Sequence, residues 1–335
     1  MTPAYAAASS APAANPFDAA SYETVPFDGA QVASLDAMAP PDVAPVRMAS
    51  LAVTTVPRAD QVPVAAVNNL PPGARDGIFQ KALFSAMWLP ALSEEPDALG
   101  ITELDARVVY GFPFFRRDTP LLITPQLNVQ FLDNASALDL PSSLLGTGLE
   151  FRHMRKFGDG PWAMDVAATV GYYNDFHTDS SEAVRVSGRG LAVYETSPST
   201  QWILGVAYLN RAGASVLPVV GVIHEPTSDT RWELLFPRPR LAWRTAGSVP
   251  SDESWLYLGA EFGGGVWAIT RPSATSEELL QYSDYRLMGG YERKIRGGLT
   301  RRFEFGYVFN REIEFTNDPR LDLDDSFFGR VGLTY

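Results

Sequence analysis

The most regular alternation of hydrophobic and polar positions in the chain runs from Arg302 to Phe315. Odd positions carry Phe303, Phe305, Tyr307, Phe309, Ile313 and Phe315, with Arg311 as the one exception. Even positions carry Arg302, Glu304, Gly306, Asn310, Glu312 and Glu314, with Val308 as the exception. Side chains of a strand alternate between its faces, so the segment predicts a strand with an aromatic face and a charged face. Wound as a helix, the same aromatics would scatter around the axis. A soluble sheet also alternates, but its buried face is usually aliphatic and its strands are about 5–6 residues long. A long aromatic face backed by ionic residues suits a strand with lipid on one side and a polar lumen on the other.

Similar patterning starts near Gly77 and continues to Tyr335. A first strand is expected at Phe79–Leu89. A second, Thr102–Phe112, sets Leu104, Ala106, Val108, Tyr110 and Phe112 against Glu103, Asp105 and Arg107. Leu121–Phe131, Leu145–Met154 and Trp162–Tyr173 alternate in the same way. Further strands are expected at Arg185–Glu195, Gln201–Asn210, Val216–His224, Arg231–Phe236, Arg240–Arg244, Trp255–Phe262, Val266–Thr270 and Ser283–Arg293. Phe327–Tyr335 is the last. Some short segments must merge, because single-chain bacterial barrels have even strand counts. The expected fold is all-β: an antiparallel transmembrane, outer-membrane up-and-down barrel of about 12–16 strands. Closure of such a meander requires the last strand to pair with the first. Pro113, Pro125 and Pro218 fall in or at the ends of strands, and each demands a bulge, a strand end or a bend. Phe236-Pro237-Arg238-Pro239-Arg240 is expected to be a tight turn.

Residues 1–75 differ in composition from the rest. They hold 11 of the 26 prolines but only 2 of the 27 glycines, and they are Ala-rich with no clear period. A disordered linker is expected there, followed by the barrel over 76–335. Within it Pro16-Phe17-Asp18-Ala19-Ala20 is echoed by Pro26-Phe27-Asp28-Gly29-Ala30. The echo is read either as a docking motif for a periplasmic partner or as chance in a biased segment. Ala4-Tyr5-Ala6 looks like the end of a signal cleavage site, although no basic or apolar region precedes it.

The formal charge of −12 argues against nucleic acid as a partner. With no Cys there is no disulfide framework and no thiolate metal site. No apolar run approaches the ~18 residues of a membrane helix, so a membrane-spanning form must be a closed barrel.

Several phrases together resemble a family of uncharacterised bacterial outer-membrane β-barrel proteins. They are Phe79-Gln80-Lys81 with Trp88-Leu89-Pro90, Pro120-Leu121-Leu122-Ile123-Thr124-Pro125, and Glu233-Leu234-Leu235-Phe236-Pro237-Arg238-Pro239. Trp255-Leu256-Tyr257 with Gly263-Gly264, Gly306-Tyr307-Val308-Phe309-Asn310-Arg311 and the final Tyr335 belong with them. The resemblance spans about 77–335. It implies a barrel in the bacterial outer membrane with the N-terminal segment in the periplasm, and it carries over no catalytic or binding residue. The last strand, ending on the aromatic Tyr335, looks like the strand read by the outer-membrane assembly machinery. Membrane lipid is the other expected partner.

The candidate chemistry lies on the polar face. Alternation places Arg107, Glu150, Arg152, Asp165, Arg185, Arg189, Glu233, Asp284, Arg286, Glu292, Arg302, Glu304 and Glu312 toward the lumen. In a wide barrel they line a pore; in a narrow one they pair across it. Of the three histidines, His177 lies in the polar loop Asn174–Ser181. No nucleophile turn accompanies it, so a solvated loop is expected and no enzymatic activity. Asp318, Asp322, Asp324 and Asp325 could offer oxygens to Ca²⁺, but their spacing matches no calcium loop. No metal or cofactor is expected, and Gly263-Gly264-Gly265 reads as a turn or bulge. The expected function is passage of small solutes. The alternatives are a closed barrel that anchors the envelope and a barrel-embedded hydrolase.

Overall fold

A computed structural model describes residues 77–335, except 115, 159, 210–215, 249–251, 274–276, 296–297 and 317–319. The expected linker over 1–75 and its repeated Pro-Phe-Asp phrase lie outside the described residues. Fifteen strands follow one another: β1 Phe79–Leu89, β2 Gly100–Phe114, β3 Arg116–Asp133, β4 Ser143–Lys156, β5 Trp162–Asn174, β6 Val184–Ser197, β7 Thr200–Tyr208, β8 Val216–Thr227, β9 Thr230–Phe236, β10 Arg240–Ser248, β11 Asp252–Thr270, β12 Glu277–Ile295, β13 Thr300–Phe315, β14 Leu321–Leu323 and β15 Ser326–Thr334. Two short 3₁₀ turns, Ala135–Leu138 and Ser181–Ala183, lie in loops.

Each strand from β1 to β13 pairs antiparallel with the next, β13 pairs with β15, and β15 pairs with β1. Fourteen strands thus close an up-and-down barrel, and the short β14 pairs only with β13. The closing pair runs from Leu83↔Thr334 to Trp88↔Gly329, and Tyr335 exchanges two backbone hydrogen bonds of 2.9 Å with Ala82. Closure leaves no unpaired strand edge, which lipid would penalise by several kcal/mol per group.

Two expected strands, Trp255–Phe262 and Val266–Thr270, are one strand, β11. It pairs with β12 without a register break from Asp252↔Ile295 to Thr270↔Glu277. The prolines are accommodated in three ways. Pro113 stands at the register shift that ends β2. Pro218 is beside β7 but beyond the end of β9, so its missing N–H has no partner strand to fail. Pro125 differs from expectation: it lies mid-strand on the outer face of β3, with no bulge. Instead the β2–β3 ladder stops at Arg107↔Gln126 and resumes at Tyr110↔Ile123. Losing a few ladder bonds takes the place of a backbone distortion. Phe236–Pro237 is cis and forms the tight turn between β9 and β10.

The outer surface is apolar. Leu204, Leu258, Leu287 and Phe305 are each more than half exposed, with Leu127, Leu149, Val166 and Val220 around them. At the end of short turns, Trp162 lies 4.7 Å from Tyr194 and His224 lies 5.8 Å from Trp232, ring centre to ring centre. At the opposite end a chain of rings runs Phe236–Phe262–Tyr285–Phe309–Tyr307–Phe327–Phe305, with centres 4.7–6.1 Å apart. Aliphatic side chains between two aromatic bands are the pattern a barrel exterior has when it faces lipid. The connections divide likewise: 198–199 and 228–229 at one end, 90–99, 134–142, 175–183 and 316–325 at the other.

Candidate functional site

The lumen carries the charged face of the strands. On β2, Arg107 donates from Nε and Nη2 to the two oxygens of Asp105, both at 2.6 Å. Next to it Asn128 of β3 donates to Glu103 at 2.9 Å. Arg152 of β4 holds Asp165 of β5 in a bidentate pair at 2.9 and 2.8 Å. Arg189 of β6 adds a second cation, 3.6 Å from Asp165 and 3.5 Å from Glu150. Arg185 donates to the Glu182 carbonyl at 3.2 Å.

A second network lines β9–β15. Arg286 holds Asp284 bidentately at 2.8 and 2.9 Å and lies 3.4 Å from Glu261. Glu261 also meets Arg238 at 3.1 Å and Arg330 at 3.0 Å. Arg330 then bonds Glu304, which accepts from the Tyr257 hydroxyl at 2.6 Å and lies 3.9 Å from Arg302. A Cβ at Gly263 would sit 2.1 Å from Asp284 Oδ1, so any larger residue there would displace the Asp284–Arg286 pair. Arg240 stacks on Tyr257 at 3.9 Å and pairs with Glu292 at 3.1 Å. Arg231 pairs with Glu233 at 2.6 Å.

Twelve of the residues that alternation directs to the lumen stand on the inner side in these networks. Glu312 does not. A bulge inserts one extra residue in β13, where the pairing with β12 jumps from Ser283↔Glu312 to Tyr285↔Phe309. Asn310 takes φ 50° there. The extra residue reverses the faces beyond it. Arg311, Ile313 and Phe315 therefore turn inward, and Glu312 lies on the other face, bonded to Arg320 at 3.1 Å. Sequence reasoning missed Glu261, Arg330, Arg238 and Arg240. Glu261 and Arg330 share parity with Tyr257 and Phe328, aromatics that look like lipid-facing residues but point inward.

Above the level of Gly264 the sheet leaves the barrel wall. β10 begins at Arg240, opposite Gly259, so beyond that point β11 loses its neighbour on one side. Gly264 has φ +103°, and a Cβ there would lie 2.0 Å from the Tyr282 carbonyl oxygen, so only glycine fits the bend. Past it Val266, Trp267, Ala268 and Ile269 are buried in succession, both faces covered. The upper parts of β11, β12 and β13, with β14, curl inward as one lip. Trp267, Ile269, Leu280, Ile313 and Phe315 join Leu89, Leu99, Leu144 and Tyr173 in an apolar cluster that fills the loop end of the lumen.

The lip reaches the far wall. Ala268 of β11 forms a parallel bridge with Asn174 of β5, six strands away in one direction and eight in the other around the ring of fourteen. Two carboxylates hold its tip. Asp175 Oδ2 accepts from the Thr270 N–H at 2.8 Å, while Oδ1 accepts from the N–H groups of Thr178 at 2.7 Å and His177 at 3.0 Å. Thr178 and Thr270 join hydroxyl to hydroxyl at 2.8 Å. Asp139 accepts from Arg271 Nε at 2.9 Å and the Ser273 N–H at 2.8 Å. Burial raises the pKa of both carboxyls. For Asp175 the backbone donors outweigh it, and for Asp139 the Ser273 and Arg271 donors do, so both lie below the usual 3.8. His177 thus belongs to the turn that positions Asp175.

Asp322, Asp324 and Asp325 do not converge. Asp325 accepts from the Tyr307 hydroxyl at 2.6 Å, and Asp324 lies 3.4 Å from the Ser93 hydroxyl. Asp318 is outside the described residues. Among the described residues no group of three acidic, His or Cys side chains is arranged to hold a metal.

A family model described as "Domain of unknown function (DUF6268)" matches residues 128–323, more than half of the chain. No curated protein matches the sequence. Among solved structures, a bacterial polysaccharide outer membrane secretin is similar over 76% of this chain and 97% of its own, at 9% identity and TM-score 0.34. The beta domain of the Bordetella autotransporter BrkA is similar over 76% and 98%, at 11% identity and TM-score 0.30. OccAB4 of Acinetobacter baumannii is similar over 79% and 99%, at 8% identity and TM-score 0.27.

Proposed function

From the premise that this chain belongs to the DUF6268 family of uncharacterised domains, we propose that it is a bacterial outer-membrane barrel that passes small polar solutes and is shut at rest. The short-turn end, where β1 starts and β15 ends, faces the periplasm, and with it the N-terminal segment. The long loops face outward. The carrying observation is that the loop end is closed by the curled lip around Trp267, while the lumen below is lined by charges of both signs. A lumen built only to be filled needs no separate element at its mouth. Solutes meet water-like side chains below the lip and a dry apolar layer within it. No reaction is part of this reading.

A second reading is a permanently closed barrel that anchors the envelope. The ionic residues favour it: Arg152, Asp165, Arg286 and Asp284 pair with one another in tight bidentate geometry. Conductance in planar bilayers separates the two. Full-length protein is refolded into lipid and compared with the Trp267→Ala/Ile269→Ala/Leu280→Ala variant. Heat-modifiable migration in gels checks that each is folded. Wild type is expected to be almost silent, and the trimmed lip to conduct. A trimmed, folded barrel that stays silent would leave only the anchoring role. Continuous conductance in wild type would show that the lip is no seal.

A further inference from the structure

We propose that the lip opens along one edge only, the free edge of β11, by a twist at the row Gly264–Ser283–Asn310 that is largest at β11 and vanishes at the fixed β13–β14 edge. The inference rests on the solute-passage reading and specifies how that passage is regulated.

The two edges of the lip are attached very differently. On the β13–β14 side Arg311 is buried and donates to the carbonyls of Leu99 at 2.6 Å and Asp324 at 2.8 Å, and to the Tyr282 hydroxyl at 3.1 Å. The Asp324 N–H donates to the Asp97 carbonyl at 3.0 Å, and the Ser326 hydroxyl to the Pro90 carbonyl at 2.7 Å. The backbone there also runs straight on into β15. On the β11 side no strand runs alongside beyond Gly259 among the described residues. A single parallel bridge, Ala268↔Asn174, and the contacts of Thr270, Arg271 and Ser273 with the loops hold it.

The bend row is already built for rotation. It carries positive φ at Gly264 in β11 and at Asn310 in β13, with the bulge beside it. Beyond the row, β11 and β12 remain paired residue by residue to Thr270↔Glu277, so these two strands move together and the opening is taken up as twist of the β12–β13 ladder from Leu280↔Phe315 to Ser283↔Glu312. The Trp267 indole N–H is fully buried and has no hydrogen-bond partner among the described residues. An unsatisfied buried donor disfavours the state that buries it. Lifting the β11 edge brings that donor to water.

The chain has no Cys, so engineered disulfides have no background. The Thr178→Cys/Thr270→Cys pair replaces two hydroxyls that touch, and its sulfurs fall within bonding reach. Ala268→Cys/Asn174→Cys bridges the same seam in case the first pair folds poorly. Ser93→Cys/Asp324→Cys, whose side chains approach to 3.4 Å, bridges the fixed edge to the loop after β1 as a control. A third probe is Asp175→Asn. It keeps an oxygen for the Thr178 and His177 N–H groups but presents an amide N–H₂ to the Thr270 N–H. Each is reconstituted at full length and its single-channel openings are counted. We expect Asp175→Asn to raise the open fraction at least tenfold. Oxidised seam pairs should abolish openings that dithiothreitol restores, and the control bridge should leave openings unchanged. If the control bridge stops openings and the seam bridges do not, the moving edge is the other one. If the trimmed lip conducts while neither the seam bridges nor Asp175→Asn change anything, the hinged edge is wrong and the pore stands. If the trimmed lip itself is silent, the pore reading has failed first.

Discussion

The lower and upper halves of the β11–β12 hairpin share one unbroken ladder and yet are two different materials. In the lower half Leu256 and Leu258 face outward and are about half exposed, while Trp255 and Tyr257 point in and are buried. In the upper half Val266, Trp267, Ala268 and Ile269 are all buried, whichever way they point. Backbone pairing is the same in both. What differs is the outer face, open and apolar below and covered by protein above. Alternation is a property of a strand between two unlike media, and it vanishes when both sides are protein.

The largest test of that contrast is Trp267→Ala. It removes a side chain packed on both sides by protein and should cost about 3–5 kcal/mol of unfolding free energy. Refolding titrations in bilayers and in micelles should give similar losses, because lipid does not touch the site. A loss seen only in lipid would place Trp267 on the outside. Next is Leu258→Arg on the lower half, expected to cost about 2–4 kcal/mol near mid-membrane. This loss should shrink when the same titration is run in a short-chain micelle. Equal losses in the two media would mean Leu258 does not face lipid. Third, Gly264→Ala forces a Cβ into the bend at positive φ and should cost about 1–3 kcal/mol. Limited proteolysis should then cut near residues 271–276, and an uncut hairpin would argue that the bend is not needed to keep the lip down.

The smallest effect concerns acid. Asp175 and Asp139 have folded pKa values below 3.8, so their hold on the lip is complete above that value and is lost as pH falls through the folded pKa. Openings should rise only on acidification below about pH 3.8, not between pH 7 and 5. In Asp175→Asn, which gives up about 1.5–3 kcal/mol of charge-assisted hydrogen bonding, that rise should be smaller. A rise centred near pH 6 would show that these two carboxylates are not what holds the lip.

Most of the wall was legible in the sequence. The first strand, the closing strand and the interior positions follow from parity, because lipid and lumen impose opposite chemistries on neighbouring residues. Three features were not. Asn310 looks like one more polar residue on a charged face, and nothing local says that it adds a residue to the strand. Val266 to Ile269 reads as a separate short strand, since a continuous apolar run carries no facing information. Glu261 and Arg330 were hidden by inward aromatics. Tyr257 faces the lumen because its hydroxyl reaches Glu304, a contact visible only across strands.

The shortness of β9 has a consequence for the membrane itself. Its 7 residues, at about 3.3 Å each, span roughly 23 Å before any tilt is allowed for. On the other side of the ring β3 has 18 residues. The rim is therefore notched at the Pro237–Pro239 turn, and in the membrane proposed above lipid there would meet a lower apolar wall than elsewhere. Such a mismatch is relieved by local thinning of the bilayer or by leaning of the whole barrel. The proposed barrel would then carry a built-in direction in the plane of the membrane, with the leaflet drawn down beside the β9–β10 turn, where β11 bends inward.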